Sequence, residues 1–440
     1  MAHTYNYLKT VLEKLKQENS RHSVFVFIVL SLACIPLSYA ANSVALVLLA
    51  LATVYNFKKN HTRLDLALLL PVLLYLLMVV SLAWTIDREE TIPSISKELP
   101  LLVIPVCFML FAPLSGLQRN KVVGYYSFAI ALFSVFYLLK ALMRFAVSGD
   151  VSVFFYHELV TKDVNAIHVS VFVSVAFFYF LQKVEKTVVE KACLALLFTT
   201  LFLLSSKNII AVFLVLTGLY YLFFSDATQR AKVIAVTGIA AVIVSLAFVP
   251  QIRERFKIEF ETAASDHTVN DDIGPNVRNV SLRRAWSAND FTPNDYFPGT
   301  AFRVYQFRIF LEMMAKDNAW LTGYGLNASY KRIAETTIAH NLYLGPDGRT
   351  GYQSKNFHNQ YLQNFAELGI FGFALLVSIL ALNLKNAVKT KDFVHISFAV
   401  LMISLFLTES FLWRQRGVTF FTIMYCLFNS GIAIGKNKNL

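Results

Sequence analysis

Apolar blocks with few charges, most of them near the block ends, recur along this chain, each roughly 16 to 25 residues long, which is the length a helix needs to cross a hydrocarbon core of about 30 Å. Inside lipid every backbone amide must find its partner within its own segment, so such blocks read as helices and not as strands. They fall near residues 23–39, 41–57, 64–84, 98–115, 122–146, 165–182, 190–205, 208–224, 231–249, 364–384, 393–412 and 418–435. A length of 440 residues would suggest two or three soluble domains, but 56% of the residues are apolar and only 15% are charged, and that composition overrides the length. The sequence predicts an all-α integral membrane protein of about twelve transmembrane helices.

The net charge of +12 does not point to nucleic acid, because the basic residues are scattered through short loops between apolar blocks. They cluster in every second loop: the first segment (Lys9, Lys14, Lys16, Arg21), Lys58/Lys59/Arg63, Arg119/Lys121, Lys183/Lys186/Lys191, Arg230/Lys232, Lys385/Lys389/Lys391 and the tail Lys436/Lys438. Positive loops stay on the cytoplasmic side, so the even span count places both ends inside. The first twenty residues are polar and lack the apolar region and cleavage site of a signal peptide, so retention of the N-terminus is expected. Three regions follow: helices over 1–249, an outer loop over 250–363, and further helices over 364–440. A loop of that length is expected to fold and carry function. Cys34, Cys107, Cys193 and Cys426 lie far apart inside apolar blocks and support neither a metal site nor a disulfide framework.

Cations at the outer ends of spans need a reason, since the orientation rule predicts few there. Lys140 and Arg144 end the fifth block, Lys207 sits in the turn LLSSKN, and Arg414 and Arg416 lie in ESFLWRQRG. Each can snorkel to lipid headgroups. Together they can form an anion site, because a diphosphate concentrates negative charge that arginine grips with two parallel hydrogen bonds. Glu409, within the eleventh block, is a site candidate or a partner for Arg414 or Lys207. His168 is a second candidate, with a packing role as the alternative.

The sharpest motif is FHNQYLQNFAELGIFGF, residues 357–373. His358 opens an amphipathic run leading into the tenth block, at the outer lipid boundary. Histidine titrates near neutrality and suits general-base work on a sugar hydroxyl, although it can equally cap the helix. Upstream, AFRVYQFRIFLEMMAKD follows Thr300, a candidate N-cap. Apolar positions 304, 307, 310, 311 and 314 predict a helix lying on or against the membrane domain. Arg303 and Arg308 are about 140° apart on that helix, so one can meet the site while the other is solvated.

On these residues the chain resembles the O-antigen ligase and polymerase superfamily. The likeness rests on Ser206-Lys207 in an outer turn, on Arg303 with Phe307 followed by Gly323 and Gly325, and on His358-Asn359 with Tyr361, Leu362, Glu367, Gly369 and Gly372. Lys207 stands where the family has arginine, which keeps the charge and loses the guanidinium fork. The resemblance implies a GT-C-like multi-helix membrane core with one large folded periplasmic loop, in the bacterial inner membrane. It implies a glycan carried on undecaprenyl diphosphate, the diphosphate held by Lys207, Arg303 and Arg308, Arg414 or Arg416, with His358 as base and Asn359 in support. The acceptor would be lipid A-core for a ligase, another carrier-linked glycan for a polymerase, or a protein hydroxyl. Membrane lipids are the other expected partner, and no cofactor or metal is expected, since Asp271-Asp272 stands apart from both motifs. A transporter or flippase for lipid-linked sugars shares the helix count and the cations, but the halves show no repeat. A non-catalytic membrane protein would leave the outer cations and the HN motif unexplained.

Overall fold

The structure, a computed structural model, describes residues 2–161, 164–246, 248, 253, 276–345 and 351–432. Asp271-Asp272 and the tail lysines Lys436 and Lys438 lie outside these residues. The described chain is almost entirely helical, with one short parallel pair of strands, β1 Arg278–Asn279 and β2 Asp295–Tyr296.

The apolar blocks fold as helices. In order these are α1 Ala2–Arg21, α2 Phe25–Ala33, α3 Tyr39–Tyr55, α4 Leu66–Val80, α5 Arg88–Glu98, α6 Pro100–Leu110, α7 Gly116–Ser148, α8 Tyr156–Val160, α9 Ala166–Leu181, α10 Val188–Leu203, α11 Lys207–Leu219 and α12 Gln229–Leu246. The outer segment supplies α13 Leu282–Ser287, α14 Gly299–Lys316 and α15 Ser329–Ala339, and the chain returns through α16 Gln360–Thr390, α17 Phe393–Phe406 and α18 Gln415–Asn429. Polar residues at the block edges start the helices by accepting from orphan amides. Ser38 caps α3, Asp65 caps α4, Asp392 caps α17, and Ser115 and Thr187 form capping boxes on α7 and α10.

Among the described residues, the helical stretches Leu66–Ala83, Arg88–Leu110, Gly116–Ser148, Lys207–Phe224 and Gln360–Thr390 are long and apolar enough to cross a bilayer. Tyr39–Tyr55, Ala166–Leu181 and Phe393–Phe406 are shorter apolar helices. Large apolar side chains such as Val54, Leu132 and Phe223 project outward from the bundle, a surface that suits lipid tails and not water.

Two separate apolar cores form. One fills the helix bundle around Phe172, Phe178, Phe213, Phe398 and Phe420. The other lies within the outer segment around Phe291, Phe297, Tyr305, Ile309, Met313, Tyr324, Ile333 and Phe357. Different forces hold them, since aqueous burial of a phenylalanine is worth roughly 1.5–3 kcal/mol, whereas helices in lipid gain mainly from close packing and hydrogen bonds.

This second core changes three expectations. Helix α14 begins at Gly299 with Pro298 in the cap position, so Thr300 lies inside the first turn. Its buried face runs through Phe302, Tyr305, Ile309, Phe310, Met313 and Met314 into the outer core, with Val304 and Leu311 packed against it; of the expected stripe 304, 307, 310, 311 and 314, Phe307 is exposed, and the core it meets is that of its own segment. Helix α17 stops at Phe406, so Glu409 stands in the turn beyond the helix and not within an eleventh span.

A clasp joins the two cores. The amides of Tyr324 and Gly325 donate to the carbonyls of Ala366 and Glu367 (2.8 and 2.9 Å), and Ile370 N–H donates to Trp320 O at 3.0 Å. Helix α16 breaks at Gly369 (φ 64°, ψ −161°), a conformation essentially confined to glycine. A Cβ there would lie 2.0 Å from Leu321 O, and one on Gly323 would lie 2.5 Å from the carbonyl carbon of Glu367. The GxG and the ExG of the motifs are thus two halves of one close backbone contact.

Candidate active site

The turn from Leu407 to Arg414, between α17 and α18, is where distant pieces of the chain meet. Asn359 caps α16, accepting from Leu362 N–H at 3.1 Å, and its Nδ2 donates to Leu407 O at 3.2 Å. The cap is therefore Asn359, which frees the neighbouring imidazole from that task. His358 itself has φ +46°, uncommon for a residue with a Cβ, and its amide donates to Asn356 Oδ1 at 2.9 Å. The ring is turned toward Glu409, with Nδ1 3.6 Å from Oε2, and its other edge lies beside Phe302 at 5.7 Å between centroids.

Glu409 is nearly buried, with 5% of its side chain exposed, while the His358 side chain is 31% exposed. Burial pushes the Glu409 carboxyl up, but the contact with His358 and the neighbouring His168 and Arg303 outweigh it and hold the group below the usual carboxylate range. A carboxylate on the Nδ1 side leaves Nε2 as the nitrogen able to accept a proton, the arrangement by which an acid group orients and supports an imidazole.

Arg303 reaches the same turn. Its Nε and Nη2 donate to Thr408 O at 3.2 and 2.9 Å, and Nη1 donates to Gly299 O at 2.9 Å. A guanidinium has five N–H groups, so one on each terminal nitrogen remains, the fork that fits a phosphate oxyanion. Arg308 goes elsewhere and is not solvated: it is buried, with Nε on Glu312 Oε1 at 2.6 Å, Nη2 on Asn289 Oδ1 at 3.3 Å and Nη1 on Ala288 O. Its role is to pin the outer segment together.

His168 is buried with its ring 4.3 Å from that of Phe411, within electrostatic reach of Glu409, Arg414 and Arg416. Arg414 is exposed at the cap of α18, and Arg416, the second residue of that helix, is buried with its guanidinium 4.3 Å from the Tyr39 ring centre. Lys207 opens α11, beside Asn208, whose amide bonds to Ser404 and Thr408. Lys140 and Arg144 are spent on the segment after α7, Lys140 on Thr161 Oγ1 at 3.0 Å and Arg144 on the Glu158 carbonyl and carboxylate. These two tie down α8.

The amino ends of α11, α14, α16 and α18 all abut this turn, through Asn208, Arg303, Asn359 and Arg414 respectively. Each helix start presents unpaired amides and a partial positive charge, so four converging starts add to the arginines. At the opposite end of the bundle, Lys121 and Arg21 pair with Glu18, Lys183 pairs with Glu190, and Arg63 reaches Ser430. Among the described residues no set of three or more His, Cys, Asp or Glu is placed to hold a metal ion. Sequence reading missed Thr408, which acts through its carbonyl, and Asn208, whose partners lie far along the chain.

The chain is thus an all-α membrane protein with an imidazole, a buried carboxylate and an arginine fork at one end of its bundle. Residues 192–377 match the family described as O-Antigen ligase, which supports the O-antigen ligase/polymerase superfamily, whose members are glycosyltransferase-like enzymes. That stretch takes in Lys207, Arg303 and His358. No curated protein matches the chain. The apolar helices and this match indicate a multi-pass bacterial membrane protein.

Proposed function

We propose that the chain is a metal-independent, inverting glycosyltransferase of the O-antigen ligase kind. It moves a glycan from undecaprenyl diphosphate to a hydroxyl of a lipid A-core acceptor at the periplasmic face of the inner membrane. The twelve apolar helices cross the bilayer with the basic loops cytoplasmic, and the segment 250–363 folds outside. His358 Nε2 takes the proton from the acceptor hydroxyl as its oxygen attacks the anomeric carbon. The bond to the diphosphate oxygen breaks, and its electron pair departs on undecaprenyl diphosphate. Arg303, with Lys207, Arg414 and Arg416 near by in the fold, offsets the charge growing on that leaving group. Glu409 keeps the imidazole oriented and stabilises its protonated form.

The observation that carries this reading is the His358–Glu409 pair set beside the open fork of Arg303. The ligase is preferred to the polymerase because the outer segment is single and large and bears one HN motif. Purified protein given a carrier-linked oligosaccharide and lipid A-core should yield the mass of the joined product, undiminished in EDTA. Loss of the gene should leave lipopolysaccharide as core alone; core bearing a single repeat would instead mark a polymerase.

A further inference from the structure

We infer that Asn208 is a positioning residue that holds the Arg303 fork in place through the Thr408 peptide, an inference that rests on the function proposed above. The side-chain amide of Asn208 is fully engaged. Its Nδ2 donates to Ser404 O at 2.9 Å and to Thr408 Oγ1 at 2.8 Å, and its Oδ1 accepts from Ser404 Oγ at 2.7 Å. The two bonds to Ser404 fix the last turn of α17 to the first turn of α11, where Lys207 stands, and the third reaches the turn beyond it. Thr408 lies just past the end of α17 at Phe406, where its N–H and Oγ1 donate to Leu405 O at 2.9 and 3.2 Å and Asn208 adds the bond that ties it to α11. Its carbonyl is the anchor for two of the three bonds that Arg303 makes, at 3.2 and 2.9 Å.

The order of dependence follows from those contacts. Arg303 arrives from the outer segment on a long flexible stem, and a guanidinium that wanders cannot offer a two-pronged grip. Thr408 O sets the plane of the fork, and Asn208 sets Thr408. The same bonds keep the neighbouring Glu409 backbone in register, but the Glu409 side chain meets His358 on its own. Asn208 should therefore bear on donor binding more than on the proton transfer.

The test is a double-mutant cycle on the full-length protein in detergent, reading binding of undecaprenyl diphosphate and, in parallel, the kinetics of transfer. Asn208→Ala should weaken binding about tenfold, the scale of one well-placed hydrogen bond to a charged partner's support. The change should fall in KM with kcat and its pH profile little altered. In an Arg303→Ala background the same substitution should cost almost nothing further, because residues that act through one another do not add. Equal losses in both backgrounds, or an unchanged affinity in Asn208→Ala, would overturn the inference while leaving the proposed function standing. If Arg303→Ala itself binds undecaprenyl diphosphate as well as the parent, the diphosphate role of Arg303 fails, and the role of Asn208 fails with it.

Discussion

His358 Nδ1 lies 3.6 Å from Glu409 Oε2, although 51 positions separate them and one is half-exposed while the other is buried. A carboxylate kept ionised in that setting has a use beyond packing, since its desolvation is offset only by the groups it faces. Glu409→Gln retains the shape and removes the charge. The expected outcome is a folded protein whose kcat falls at least about tenfold with little change in donor KM, a fraction of the roughly 10²–10⁴ that a general base contributes. A steady-state comparison of Glu409→Gln with the parent checks it.

The two arginines of α14 should separate by assay. Arg303→Ala should raise the donor KM with the melting temperature unchanged. Arg308→Ala removes a buried guanidinium from Glu312, Asn289 and Ala288 O, and should cost about 1.5–3 kcal/mol of stability with donor affinity per folded molecule unchanged. Thermal unfolding in detergent and binding of undecaprenyl diphosphate, measured on both, distinguish the roles.

His340 makes the outer segment sensitive to acid. Its pKa is lowered below the histidine value, first by burial, with Arg308 acting in the same direction and Glu312 against it. The unfolded segment therefore takes up a proton more readily than the folded one. Stability from the neutral ring is complete above about pH 6.5 and is lost as pH falls through that value toward the lower folded one. Corrected for the intrinsic slowing of amide exchange in acid, protection over 329–342 should fall between pH 7.5 and pH 5.5, and His340→Gln should flatten that dependence.

Gly369→Ala should be among the most damaging single changes outside the site. It combines a glycine-only backbone conformation with a Cβ placed 2.0 Å from Leu321 O. The expected loss is roughly 2–6 kcal/mol, seen as low yield or a lowered melting temperature.

The helices were legible because lipid imposes a simple rule: long uncharged runs must satisfy their own amides, and the polar residues at their edges, Asp65, Ser115 and Thr187 among them, become caps. The candidates His358, Arg303 and Glu409 were legible as titratable groups out of place for a membrane protein. What stayed hidden was pairing at long range. Nearness along the chain or at a span end suggests Arg414 or Lys207 for Glu409, and nothing in the sequence points to His358, which the fold brings to it. Arg308 reads as surface on a helix wheel until Ala288 and Asn289 close over it. The stripe at 304, 307, 310, 311 and 314 marks much of the packing face, with Phe307 the exposed exception, but nothing in its periodicity says that α14 will meet a core made by its own segment. Asn208 looks like an ordinary polar residue at a helix start, and its bond to Ser404 spans 196 positions.

Transfer by the purified protein and by His358→Ala, compared side by side, tests the central claim most directly. Both should bind undecaprenyl diphosphate equally and melt at the same temperature. The parent should convert lipid A-core to the glycan-bearing mass while His358→Ala gives no product above background. Full transfer by a folded His358→Ala protein would contradict the account.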